Sequence, residues 1–321
     1  MTLENKYKLL EEILKSLNYV VIAFSGGVDS TFLLKVAKDV LKDNVIAVTA
    51  KSATFPEREI KKAIEISKNL KVKHLIINSN ELQNPDYIKN DKNRCYFCKK
   101  ELFSDIKRVI ENKKINAGGN LVKNNFNKKE FIKNNNKKNK VVNINYIVNS
   151  DFDFNDKDSN FNFDYENYII IDGQNFDDIN DFRPGMKAAV ELGVRSPLKE
   201  AKLTKDEIRN LSKEMNIEGW DRPSFACLSS RIPYGTQISE ELLSKIDLLE
   251  SILLKLGFTQ VRVRHHDEIA RIEILKEEIE KFNDEDIRMQ VLNEFKKQGY
   301  LYITLDLEGY KTGSMNKIFK K

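Results

Sequence analysis

Cysteine is scarce in this chain: Cys95, Cys98 and Cys227 are the only three among 321 residues. A small, odd count excludes a scaffold of structural disulfides. No apolar run approaches the ~18 residues that would mark a membrane span. Charge of one sign is not in large excess either, since 54 basic against 49 acidic residues leave a net +5. That balance permits nucleic-acid binding but does not call for it. The opening residues, Met1 to Lys6, show no signal-peptide pattern and run into an amphipathic helix, so the cytoplasm is the expected compartment. With 40% hydrophobic and 32% charged residues, the chain reads as globular, and its length suits about two domains.

What is present is organised around Val20-Val21-Ile22-Ala23-Phe24-Ser25-Gly26-Gly27-Val28-Asp29-Ser30. The apolar run predicts a buried strand, and Thr31 to Ala37 predicts a helix. Between them Gly26 and Gly27 lack a Cβ, so the backbone there can turn tightly and approach a ligand. The unbonded N–H groups of the new helix favour an anion. This is a strand–loop–helix phosphate cradle. No Gly-Lys-Ser/Thr follows the glycines, so it is not a Walker-type loop.

Further strands are expected at Val45–Ala50, Val72–Ile77 and Tyr168–Gly173, alternating with helices at 4–17, from Pro56 to about Asn69, and through about Lys114. Such alternation predicts an α/β fold with a doubly wound parallel sheet, whose ligands bind at the carboxyl ends of strands. Between Gly119 and Tyr165 asparagine supplies 14 of 47 residues. That composition lacks a periodic apolar face and reads as a disordered or loosely packed insertion, with Val141–Val148 as a candidate short strand. It enters at the amino end of a strand, away from the expected site. Thr204 with Glu207 forms a capping box. The loop Pro223–Gly235 reads as functional, and a domain boundary falls near Gly235 to Ile238. This gives domains 1–236 and 237–321, the second a smaller α/β unit. In that unit Gln260, Arg262, Arg264 and His266 alternate onto one strand face, and Arg271 with Glu273 onto another.

The hexapeptide Ser25–Ser30 resembles the pyrophosphate loop of the PP-loop ATP pyrophosphatases. Six motifs in order sharpen the likeness: Ser25–Ser30, Cys95-Tyr-Phe-Cys98, Asp172-Gly-Gln-Asn175 with Asp177-Asp178, Asp181–Gly185, Cys227–Gly235 and Arg262-Val-Arg-His-His266. Together they resemble the LarE family of ATP-dependent sulfur transferases, across almost the whole chain except about 119–165. The resemblance implies an adenine nucleotide alpha hydrolase-like fold and a carboxylate-activating enzyme. That family adenylates a pyridinium biscarboxylate mononucleotide and replaces oxygen with sulfur, in making the nickel-pincer cofactor of lactate racemase. It implies that Ser25, Gly26, Gly27, Asp29 and Ser30 hold the ATP phosphates and Mg²⁺. Asp172, Gly173, Asn175 and Asp178 would border the same cavity. Arg231, Arg262, Arg264 and Arg271 would hold the substrate's nucleotide phosphate, because guanidinium matches phosphate bidentately. Expected partners are ATP, the mononucleotide, a sulfide source and a second copy of the chain, with no membrane and no nucleic acid.

The thiols leave several readings open. Cys95, Cys98 and Cys227 would hold a [4Fe–4S] cluster, leaving one iron free for sulfide, as in three-cysteine members of the family. Alternatively Cys227 gives up its own sulfur and becomes dehydroalanine. Zinc would need a fourth ligand, such as His74, His265 or His266, and Cys95 with Cys98 could be a redox pair. A tRNA-thiolating relative would share the loop and the cysteines but should carry an RNA-binding module, and none is legible. An ammonia-dependent ligase would not need the cysteines. For Asp178 and Asp181, helix capping is the plain alternative to a site role. For the arginine face it is solvation, with Glu273 as partner.

Overall fold

The computed structural model describes residues 1–117, 146–148, 163–180, 184–223 and 226–311. A five-stranded sheet has the order β4-β3-β2-β1-β5, with β1 Val20–Ala23, β2 Val45–Lys51, β3 Lys73–Asn78, β4 Tyr146–Val148 and β5 Ile169–Asp172. β1, β2, β3 and β5 run parallel, as expected. Successive strand residues face opposite cores. Val20 and Ile22 pack under α1 (Leu3–Leu17), α2 (Val28–Leu41) and α8 (Lys205–Glu214), while Val21 packs on the other side with α5 (Arg94–Ala117) and α6 (Pro184–Glu191). Helices therefore cover both faces, which explains why the strands read as continuous apolar runs.

The chain leaves β1 toward β2 and β3 on one side, whereas β5 pairs on the other. The crevice between β1 and β5 is thus the topological switch point, where open α/β sheets bind ligands. α3 (Glu57–Asn69) begins just after Pro56, which stands at its N-cap. α8 opens with the full capping box, Thr204 receiving the Glu207 N–H and Glu207 receiving that of Thr204.

Two features refine the sequence expectation: β4 falls within the candidate strand Val141–Val148, and one helix begins earlier than expected. β4 pairs antiparallel with β3, Ile76 opposite Ile147, so a piece of the Asn-rich segment covers the edge that β3 would otherwise leave unpaired. At the far end of that segment Phe163 is buried at 4% exposure, its ring edge-on to Tyr19 at 5.5 Å. The insertion is therefore part of the packed domain at both places. The rest of it lies outside the described residues, as do Asp181, Phe182 and Arg183 of the expected motif. Also, α5 begins at Arg94, so Cys95 and Cys98 stand on a helix rather than before it.

A second sheet has the order β6-β7-β8, with β6 Arg262–His266, β7 Ile269–Glu273 and β8 Tyr302–Leu305. Val263, Ala270 and Ile272 enter its core with α9 (Glu240–Lys255) and α10 (Glu285–Lys297). α9 also serves another core: Leu243 and Ile246 pack with Tyr87, Leu228, Ile232 and Ile238, while Leu249 and Leu253 join the second sheet's core. No helix among the described residues is long and apolar enough to cross a membrane.

Candidate active site at the carboxyl ends of the strands

At the end of β1, Gly26 has φ +69°, and a Cβ there would lie 3.2 Å from the Ala63 Cβ of α3. Glycine is required on both counts. Gly27 is the N-cap of α2 and offers it no side-chain acceptor, so the first N–H groups of this helix are free for an anion. The Ser25 and Ser30 hydroxyls lie 3.1 Å apart, and Ser30 donates to the Gly27 carbonyl at 3.0 Å. From β5, Gly173 comes so close that a Cβ would sit 3.0 Å from the Ser30 nitrogen. All five expected loop residues thus share one cradle, with Gly173 forming its wall.

The neighbouring carboxylates have separate tasks. Asp172 is buried and accepts from the Ser196 hydroxyl at 2.8 Å and from Gln174 at 2.6 Å. Asp178 accepts the Asn175 N–H at 3.0 Å, which makes it a brace for the turn. Asn175 in turn donates from its side chain to Asp29 at 3.2 Å. Asp29 also meets Lys205, whose ammonium lies 2.7 Å from each carboxylate oxygen. Lys205 belongs to no motif visible in the sequence, and only its place beside a capping box marked its location.

The three cysteines lie on two segments. Cys95 and Cys98 are one turn apart on α5, hence on one face. Cys227 begins the 3₁₀ turn Leu228–Arg231, which is tied back to the segments around Thr54, Tyr87 and Asn90. Leu228 N–H donates to the Thr54 carbonyl at 2.9 Å, the Tyr87 and Ser229 hydroxyls meet at 2.5 Å, and the Asn90 amide reaches the Pro233 and Thr236 carbonyls at 2.8 Å. Cys95 is an exposed residue; partial desolvation and then the charge of Cys227 push its thiol up, against the pull of Arg94. Burial, Glu81 and Cys227 push Cys98 well up. All three thiols are free.

Sequence reading missed Arg94 and Glu81. Arg94 is buried, donates to the Ser229 carbonyl at 2.9 Å, stacks on Tyr234 at 4.6 Å, and keeps an unpartnered Nε–H. Burial would lower its pKa, but Cys227 and Cys95 raise it. Glu81 accepts from the Thr54 hydroxyl at 2.7 Å and has its second oxygen unpartnered. A buried cation with a spare N–H and a carboxylate with a spare oxygen thus flank the cysteine-bearing segments. Among the described residues no group of three or more His, Cys, Asp or Glu is placed to hold a metal ion, zinc or iron, and the three cysteines are included in that. The histidines suggested as a fourth ligand are engaged elsewhere: His74 with Thr49 and Ser67, His265 with Tyr300, and His266 with Arg271.

The arginine face is not solvated. Arg262 and Arg264 are 6% and 4% exposed, and Arg231 is fully buried. Arg231 grips Glu250 at 2.8 and 2.9 Å, Arg264 bonds Glu273 at 2.7 Å and the Ser230 carbonyl at 2.8 Å, and Arg271 bonds Glu273 at 2.9 Å and also Asp306. This face is the seam between the small sheet and the Cys227 loop. Burial alone would raise the Glu250 carboxyl, but Arg231 and then Arg262 hold it low. Burial and the repulsion of Arg231 push Arg262 down to about 10. Glu250, within a helix that reads only as amphipathic, gave no sequence signal for this role.

Comparison with known proteins agrees with this geometry. The family model described as NAD synthase matches residues 3–134. An uncharacterised protein of Synechocystis is 35% identical over 319 residues, 99% of this chain and 100% of that one. The pyridinium-3,5-bisthiocarboxylic acid mononucleotide synthase of Lactiplantibacillus plantarum is 32% identical over 325 residues, covering 100% of this chain and 97% of its own. An uncharacterised protein of Methanocaldococcus jannaschii is 26% identical over 293 residues, 91% of each chain. With the cradle, the switch-point crevice and a full-length relative of this identity in place, the chain belongs to the LarE family of PP-loop proteins.

Proposed function

We propose that this protein is an ATP-dependent sulfur transferase acting on a pyridinium biscarboxylate mononucleotide, in nickel-pincer cofactor synthesis. One observation carries the reading. The segment that leaves the phosphate cradle is the one that delivers the thiol. Arg222 donates to Glu59 at 3.0 Å and to the Gly26 carbonyl at 3.5 Å, and Cys227 follows five residues later. Five residues span at most about 18 Å, which keeps Cys227 within that reach of the segment bonded to the cradle and makes transfer between the two sites feasible.

The chemistry needs both halves. A carboxylate is a poor electrophile because its oxygen is a poor leaving group. Its oxygen attacks the α-phosphorus of ATP, the bond to pyrophosphate breaks, and an acyl adenylate forms. Sulfide then adds to the acyl carbon, and AMP leaves with the original oxygen. The cradle N–H groups, Ser25 and Ser30 would hold the phosphates. Asp29 would hold Mg²⁺, which offsets charge in transfer. Arg262, pressed by burial and two neighbouring guanidiniums, gains from an anion such as the substrate's phosphate, with Arg231, Arg264 and Arg271 fixing the seam around it. The pattern of the cysteines, rather than their placement, supports the further proposal that Cys95, Cys98 and Cys227 hold a [4Fe–4S] cluster, which when bound would supply an iron able to carry additional sulfide.

Incubation with the mononucleotide and ATP should release AMP and pyrophosphate together. Asp29→Asn should slow that release by roughly 10²-fold in a folded protein. Absence of pyrophosphate from the unaltered chain, or normal release by the variant, contradicts the reading.

A further inference from the structure

Lys205 is the first residue of α8, and its ammonium rests on both oxygens of Asp29 at 2.7 Å. The pair is about three-quarters buried, with side-chain exposures of 26% and 20%. Several bonds hold it in register. The Lys205 N–H donates to Asp177 at 2.7 Å, Asn175 donates to Asp29 at 3.2 Å, and Asp178 braces Asn175 at 3.0 Å. Glu207, which completes the cap preceding Lys205, is gripped by Lys6 at 2.7 Å. Thus α8, the 175–178 turn and the phosphate cradle meet on one carboxylate.

An ammonium chelated by both oxygens occupies the positions that a divalent ion would take. Two cations on one carboxylate repel each other, so they compete. The lysine stem is flexible and its three donors suit a phosphate oxygen equally well. We propose that Lys205 is a positioning residue that acts through Asp29. It serves as the internal counter-ion of Asp29, yields the carboxylate to the divalent ion, and moves onto the polyphosphate of ATP. This inference rests on the nucleotide-binding reading of the cradle.

The proposal requires two effects of opposite sign in Lys205→Met. Binding of Mn²⁺ alone, followed by electron paramagnetic resonance, should tighten about fivefold, the equivalent of the ~1 kcal/mol that such an ion pair is worth. The KM for ATP in pyrophosphate release should rise by about the same factor or more. Lys205→Arg, which keeps the charge, should stay near the unaltered protein in both. In Lys205→Met with Asp29→Asn, the gain in Mn²⁺ affinity should vanish. A lysine that only supported the fold would weaken both kinds of binding when removed. The proposal is overturned if Lys205→Met binds Mn²⁺ no more tightly than the unaltered chain, including the case where neither binds it, or if the KM for ATP does not move. If the unaltered chain releases no pyrophosphate, the proposed function fails, while the Mn²⁺ comparison still decides the competition at Asp29.

Discussion

At the scale of single residues, the cradle depends on a backbone angle and one close contact. Gly26 at φ +69° beside Ala63 leaves no place for a side chain. Gly26→Ala should cost about 1–2 kcal/mol for the left-handed angle alone and displace the loop from the phosphates. Urea midpoints and pyrophosphate release should both fall; an unchanged midpoint with normal release contradicts the account. The Ser25–Ser30 motif was fully legible because its chemistry is local: glycine angle, free N–H groups and a nearby carboxylate all sit within one hexapeptide. Lys205, Arg94 and Glu250 were not legible. Each acquires its role from a partner far away in sequence, Asp29 for Lys205, the Cys227 turn for Arg94 and Arg231 for Glu250. No periodicity records such a pairing.

At the scale of elements, apolar strands were plain from their runs, and the candidate strand within the Asn-rich stretch contains β4. Composition speaks for a whole segment and hid a ring that packs, Phe163. Replacing 120–143 by a short turn should leave stability and pyrophosphate release near normal, because loop-closure entropy changes slowly with length. Extending the deletion to 165 should remove the edge strand and the buried ring and lower stability by roughly 3–5 kcal/mol for the ring alone. Equal melting temperatures for the two deletions would contradict this packing. β3 carries a second consequence. His74 is buried between Thr49 and Ser67, each at 2.8 Å, and burial depresses its pKa to about 4. The unfolded chain binds a proton near pH 6.5 while the folded one does not, so stability is lost as pH falls from about 6.5 toward 4. At pH 5 the loss from this residue is ~2 kcal/mol. His74→Gln, judged by urea midpoints at pH 7 and pH 5, should show a smaller acid loss than the unaltered protein; an equal loss would assign the sensitivity elsewhere.

At the scale of the whole molecule, the two sheets are joined by chemistry as much as by chain. α9 lends Leu243 and Ile246 to one core and Leu249 and Leu253 to the other. The arginine seam ties the small sheet to the loop that carries Cys227. Alternation placed Arg262 and Arg264 on one face correctly. It could not say that the face meets another segment, because a pattern of two cannot tell water from a partner surface. The cysteine segments show the same limit: a Cys-x-x-Cys spacing is visible in sequence, but the lacing of the 84–94 and 226–238 segments, which precedes one thiol pair and carries Cys227, exists only in the fold. The central claim is that the protein moves sulfur onto an adenylated carboxylate. It is tested most directly by mass spectrometry of the quenched reaction of anaerobically purified protein with the mononucleotide, ATP and sulfide. The account predicts a thiocarboxylate product formed together with AMP over repeated turnovers, with Cys227 intact and product lost in Cys95→Ser, Cys98→Ser and Cys227→Ala. Product limited to one turnover, with Cys227 converted to dehydroalanine, would contradict the shared role of the three thiols, and AMP formed without any sulfur in the product would contradict sulfur transfer itself.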